Sequence, residues 1–162
     1  MWKTILALFV IVAVLLGVRF SDQIGKGIDK VEAYYSGLFH QAVAKKLYEG
    51  FKKTADKFNK RGPVMENKFV RFDKTVAGPG ARITYFYTLV KHPSTELDRA
   101  KLQKNLSGKL LNAICNNAKV KPSIVLGAAY IYEYSGNDGI EVSRVEVNKH
   151  NCGFDQSKAD NS

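Results

Sequence analysis

Sulfur, histidine and long apolar runs are all scarce in this chain, and each scarcity closes off a class of chemistry. Its 162 residues include two cysteines, three histidines, two methionines and one tryptophan. Two thiols, Cys115 and Cys152, do not complete a tetrahedral zinc site, and no histidine pair stands beside them at ligand spacing. His40, His92 and His150 fall in three different elements, so residue order proposes no Ser/His/Asp grouping. No phosphate loop, dinucleotide fingerprint, HExxH or paired-cysteine motif occurs. Gly78-Pro79-Gly80 is a hairpin turn rather than a phosphate cradle, because no helix follows it. No catalytic residue, cofactor or metal site is therefore assigned.

The one long apolar run is residues 4–18, TILALFVIVAVLLGV, flanked by Lys3 and Arg19. As a helix it measures about 22 Å, short of the roughly 30 Å hydrocarbon core of a bilayer. Trp2 and Phe20 extend it into the interfaces, and the stems of Lys3 and Arg19 can snorkel outward. Around residues 15–21 no pair of small residues sits two apart, so a cleavage site is poor, and no cysteine directly follows the run for lipid attachment. The expectation is an uncleaved N-terminal transmembrane anchor over residues 1–20. The alternatives are a cleaved signal peptide and, less well matched because the run is apolar all round, a buried core helix. With an export signal, the two cysteines read as one disulfide in an oxidising space. That sets the N-terminus inside and the remaining domain on the far, oxidising side of the membrane; a secreted chain after signal cleavage is the alternative.

Charge is the next feature. The formal net charge is +10, and residues 41–61 alone hold seven basic and two acidic side chains. A charged fraction of 25% with a hydrophobic fraction of 45% is that of a folded domain rather than a disordered chain. The basic residues Lys45, Lys46, Lys52, Lys53, Lys57, Lys60 and Arg61 read either as a solvated helix face or as a contact for anionic lipid headgroups or an acidic partner.

Periodicity then gives the order of elements. Residues 21–62 form a helical juxtamembrane segment, loose at first and firmer over 38–59, where apolar residues recur at threes and fours until Gly62-Pro63 ends it. Residues 63–153 form an α+β domain. Strands at 68–77 and 82–90 flank the Gly78-Pro79-Gly80 turn. A helix N-capped by Thr95, with Glu96 and Asp98 in its first turn, runs to about Asn116. A second hairpin pairs residues 125–134 with 140–148, the latter bulged near Ser143 and Arg144. Residues 154–162 are a disordered tail. The expected fold is thus α+β: an N-terminal transmembrane helix, then α-β-β-α-β-β with a four-stranded antiparallel sheet packed by helices on one face.

Tyr85 and Tyr87 alternate on one face of the second strand, and Tyr130, Tyr132 and Tyr134 on one face of the third. If those strands are neighbours, the five make a patch. It lies either beneath the helices with hydroxyls at the rim, or exposed as a docking surface for a protein partner.

Three stretches carry a resemblance. They are Thr84-Tyr85-Phe86-Tyr87-Thr88-Leu89-Val90, the leucine-rich Leu110-Leu111-Asn112-Ala113-Ile114-Cys115, and the Tyr-x-Tyr hairpin closing on Cys152. Together they resemble small bacterial envelope proteins, and the secretion-system pilotin lipoproteins are similar in α+β plan. The resemblance implies this fold and a bacterial envelope compartment, the anchor in the inner membrane and the domain in the periplasm (or a periplasmic chain after signal cleavage). With the apolar run, the two cysteines and the absence of catalytic motifs, the expected role is a non-catalytic binding or assembly accessory whose partner is a protein of an envelope or secretion machinery. A small periplasmic enzyme or ligand-binding domain, with His92, Asp98 or tyrosines gathered in a polar pocket, is the alternative. A basic, aromatic nucleic-acid module comes third, because an RNA-reading sheet has a different strand order.

Overall fold

A computed structural model of the chain describes Tyr34 and residues 36–155. The 4–18 run, the expected anchor and most of the expected tail lie outside the described residues. No described helix is long and apolar enough to cross a membrane. Contacts divide the chain between Ala42 and Val43. In the N-terminal unit residues 36–42 are helical and exposed, and the Phe39 and His40 rings meet edge-on at 6.2 Å.

The C-terminal unit opens with α1, residues 43–59. Leu47, Phe51 and Ala55 recur at helical spacing and face the core, Phe51 and Ala55 being buried. Gly62 ends the element as expected, with positive φ and its N–H donating to the Asn59 carbonyl at 3.0 Å. There follow β1 (Val64–Met65), β2 (Val70–Gly78), β3 (Arg82–Leu89), a 3-10 turn (Ser94–Glu96), α2 (Arg99–Cys115), α3 (Lys121–Val125), β4 (Ala129–Gly136) and β5 (Glu141–Val147).

The sheet differs from the four-stranded antiparallel expectation. It has five strands in the order β1-β2-β3-β4-β5, and β3 pairs with β4 in parallel while the other pairs are antiparallel. The cause is the connection: α2 carries the chain back along the sheet, so β4 starts at the same end as β3. Two further corrections are local. The third long strand starts at Ala129 and not at Val125, because residues 121–125, with Pro122 in the first turn, form α3. The α2 cap is Asp98, whose side chain accepts from the Lys101 N–H at 3.0 Å, while Thr95 lies in the 3-10 turn. The bulge in β5 is near the expected place, opposite Tyr134 and Ser135, and a second interrupts β2 at Asp73.

Both helices lie on one face of the sheet, as expected. Phe51 and Phe58 of α1 touch tyrosine rings of that face. The Leu102, Leu106, Leu110 and Ile114 stripe of α2 packs half-buried against the same core. Cys115, at the end of α2, is bonded to Cys152 just after β5, with Cα atoms 5.5 Å apart, which bears out the expected disulfide.

A carboxamide caps the backbone of one residue on each side of the sheet, on β2 where it runs past the two-residue β1 and on the edge strand β5. At the β2 edge, Asn59 Nδ2 donates to the Thr75 carbonyl and Asn59 Oδ1 accepts from the Thr75 N–H, each at 2.8 Å. At the β5 edge, Gln103 Nε2 donates to the Arg144 carbonyl at 2.9 Å and Gln103 Oε1 accepts from its N–H at 3.1 Å. Each side chain thus stands where one residue of a further strand would pair, and satisfies backbone groups that would otherwise invite another strand.

Candidate functional site

The aromatic layer follows from register. Tyr85 is the partner of Tyr132 and Tyr87 of Tyr134, while Tyr130 faces Ile83. Directly opposed residues on neighbouring strands stand close enough for side chains to meet. Accordingly Tyr85 and Tyr132 stack with ring centres 5.3 Å apart and an interplanar angle of 13°, and Tyr87 and Tyr134 do so at 5.0 Å and 16°. All five tyrosines thus come together on one face, as expected for neighbouring strands.

Their exposure corrects half of the surface expectation. Tyr130, Tyr132 and Tyr134 are buried and form part of the core under the helices, while Tyr85 and Tyr87 are half-buried. The Tyr130 hydroxyl finds a partner in Ser123 Oγ at 2.8 Å. Burial pushes the Tyr85 hydroxyl up to about 12, with Tyr130 adding to the effect. Burial also raises Tyr87, Tyr130, Tyr132 and Tyr134 above the ordinary phenol range. These phenols are therefore neutral packing groups at any physiological pH.

The part of this layer that reaches the surface lies on its β1 side. Phe58 is 37% exposed and packs on both Phe72 and Tyr85. Phe72 in turn meets Tyr87 edge-on at 5.6 Å and is the register partner of Val64. Val64 is exposed beside it on the same face, whereas Met65, the register partner of Arg71, and Phe69 are exposed on the opposite face of the sheet. Sequence periodicity marked Phe58 as a helix-stripe residue but could not show that the stripe outruns the sheet, leaving its last ring at the surface.

The basic set stays as read: Lys45, Lys46, Lys52, Lys53, Lys57, Lys60 and Arg61 are all exposed, and none forms an ion pair among the described residues. The histidines remain apart. His92 meets Glu96 at 3.3 Å and His150 meets Asp155 at 3.1 Å, both at the surface. Asp98, joined to His92 in the enzyme alternative, is spent as the α2 cap. Two cavities flank the start of α1. One of about 330 Å³ is lined by Ala44, Lys45, Tyr48, Pro79 and Gly80; the other, of about 280 Å³, by Val43, Lys46, Leu47 and Leu126. Their linings are apolar apart from one lysine each and the Tyr48 hydroxyl, and neither holds a histidine or carboxylate. Among the described residues no cluster of three histidine, cysteine or acidic side chains could hold a metal ion.

Comparison with solved structures places this architecture. A Pseudomonas aeruginosa protein described as secreted superposes with a TM-score of 0.56 at 12% identity, covering 68% of this chain and 96% of its own. The Vibrio vulnificus type II secretion pilotin EpsS superposes with a TM-score of 0.56 at 14% identity, covering 69% and 96%. The Vibrio cholerae type II secretion pilotin AspS gives 0.53 at 15% identity, covering 69% and 97%. The likeness is one of fold. No protein-family profile matches the chain, and no curated protein matches it in sequence. The fold shared with two pilotins agrees with the α+β plan that the 84–90, 110–115 and 152 segments suggested.

Proposed function

We infer that this chain is a non-catalytic accessory protein of a bacterial envelope assembly, held by an N-terminal anchor with its α+β domain in the periplasm, where it binds a protein component of that assembly. The observation that carries the reading is the pairing of a pilotin-like fold with the Cys115–Cys152 disulfide. A disulfide in a bacterial domain of this size belongs to an oxidising compartment. The neighbours' names attach the same fold to pilotins of type II secretion systems. The partner surface is the β1 side, where Phe58 and Val64 are exposed beside the half-buried Tyr85 and Tyr87. An exposed aromatic ring with an apolar neighbour over a packed aromatic base matches the composition of interface cores.

A photo-reactive amino acid placed at Val64 in cells tests this directly. The expected result is a discrete adduct with a protein of the envelope, absent when the probe sits at Lys91. Adducts with cytosolic proteins alone, or none, would overturn the reading.

A further inference from the structure

Charge is sorted between the two layers of the C-terminal unit. The helical regions 43–61 and 99–121 hold thirteen basic and two acidic residues, a net of +11. The rest of residues 43–155, meaning the sheet with its turns, holds seven basic and nine acidic residues, a net of −2. The α2 helix, from Arg99 to Cys115, contains no acidic residue at all. All thirteen cations are exposed. The two layers also treat their cations differently. On the sheet side Arg71 pairs with Asp73, Arg144 with Glu133 and Lys149 with Asp155. In the helical layer no cation forms an ion pair among the described residues, and only Lys121 is engaged, over the Phe154 ring.

We propose that the helical layer, α1 together with α2, is the face by which the domain lies against an anionic lipid surface. Eleven of its thirteen cations are lysine. Lysine acts as a hydrated point charge, whereas arginine is the side chain suited to bidentate recognition of particular carboxylates. A field of unpaired lysines spread over two helices therefore fits the diffuse charge of lipid headgroups better than a specific acidic protein site. An apolar edge adjoins it. Val125 and Leu126 are half exposed at the end of α3, beside the cavity that Leu126 forms with Val43, Lys46 and Leu47. Apolar side chains next to lysines suit the boundary between headgroups and acyl chains. The inference concerns orientation and lipid contact, and it stands or falls separately from the protein partner proposed on the β1 side.

The test uses the full chain reconstituted into vesicles that are either wholly zwitterionic or about one-third anionic phospholipid. Lysines are acylated briefly with an amine-reactive reagent and quantified by mass spectrometry. In anionic vesicles Lys46, Lys53, Lys104 and Lys109 are expected to lose reactivity by about threefold or more, with Lys74 and Lys91 unchanged. Raising salt from about 0.1 M to about 0.5 M should restore them, since screening shortens the reach of the attraction. Equal labelling in the two lipids, equal loss at both sets of lysines, or protection that appears only when an acidic protein is added would each overturn the proposal.

Discussion

Replacing Gln103 with leucine keeps the shape of the side chain and deletes the clamp on β5. In the native protein Gln103 Oε1 accepts from Ser143 Oγ at 2.7 Å and from the Arg144 N–H at 3.1 Å, while Nε2 donates to the Arg144 carbonyl at 2.9 Å. The losses differ in kind. Ser143 is 4% exposed, so its hydroxyl would be stranded in the core, at about 1–3 kcal/mol. The Arg144 backbone groups lie at the sheet edge and turn to water, losing about 0.5–1 kcal/mol net each. Leucine returns part of this by packing on the neighbouring α2 stripe. The net expectation is a loss of about 2 kcal/mol, or a fall of roughly 5–10 °C in melting midpoint for a unit of this size. Urea unfolding of the oxidised protein measures the first quantity, and scanning calorimetry the second. Freed backbone groups at an edge also template pairing, so size-exclusion elution should shift to larger species with concentration. Unfolding within about 0.5 kcal/mol of the native protein, with unchanged elution, would refute the clamp.

Four further outcomes follow from the same packing. Reducing Cys115–Cys152, which closes a loop with a sequence separation of 37, should lower stability by about 4 kcal/mol on the chain-entropy argument, read by urea unfolding with and without reductant. The Thr75 hydroxyl is buried without a partner, so Thr75→Val should stabilise the domain by about 1 kcal/mol, and a destabilised variant would show that the hydroxyl has a hidden partner. Asn59→Leu should destabilise by about 1 kcal/mol, less than the Gln103 change, because it frees only the two backbone groups of Thr75. Alkali should unfold the protein through its tyrosines: their folded pKa values are raised, with Tyr85 at about 12. Their stabilising effect is therefore complete below the unfolded phenol value near 10 and is lost as pH climbs toward and past 12. Phenolate absorbance and circular dichroism should change together across that window, and smooth ionisation without unfolding would contradict the packed layer.

Much of the fold is written in local pattern. The alternation of Tyr85 with Tyr87 and of Tyr130 with Tyr132 and Tyr134 marks one face, and Gly62-Pro63 and Gly78-Pro79-Gly80 mark stops. Such signals act over a few residues, so periodicity reads them. Strand partnership is different, because an alternating strand buries the same side chains whether its neighbour runs parallel or antiparallel. The parallel β3–β4 pair was therefore invisible, although it is what stacks the rings. Asn59 and Gln103 carry no local signature either, since their partners lie 16 and 41 residues away. The Asp98 cap was missed because Pro93 and Thr95 offered an earlier start, which the chain uses for a 3-10 turn instead. Of the candidate site, the basic residues needed only composition, whereas the burial of Tyr130, Tyr132 and Tyr134 depended on where α1 and α2 come to rest.

The compartment decides whether the proposed envelope role can hold, and the two sulfur atoms report it. Protein taken from its native cells should be alkylated at once without reductant and digested for mass spectrometry. The expected result is a cross-linked peptide pair joining Cys115 to Cys152, with neither thiol modified. Recovery of both cysteines in alkylated form would contradict it.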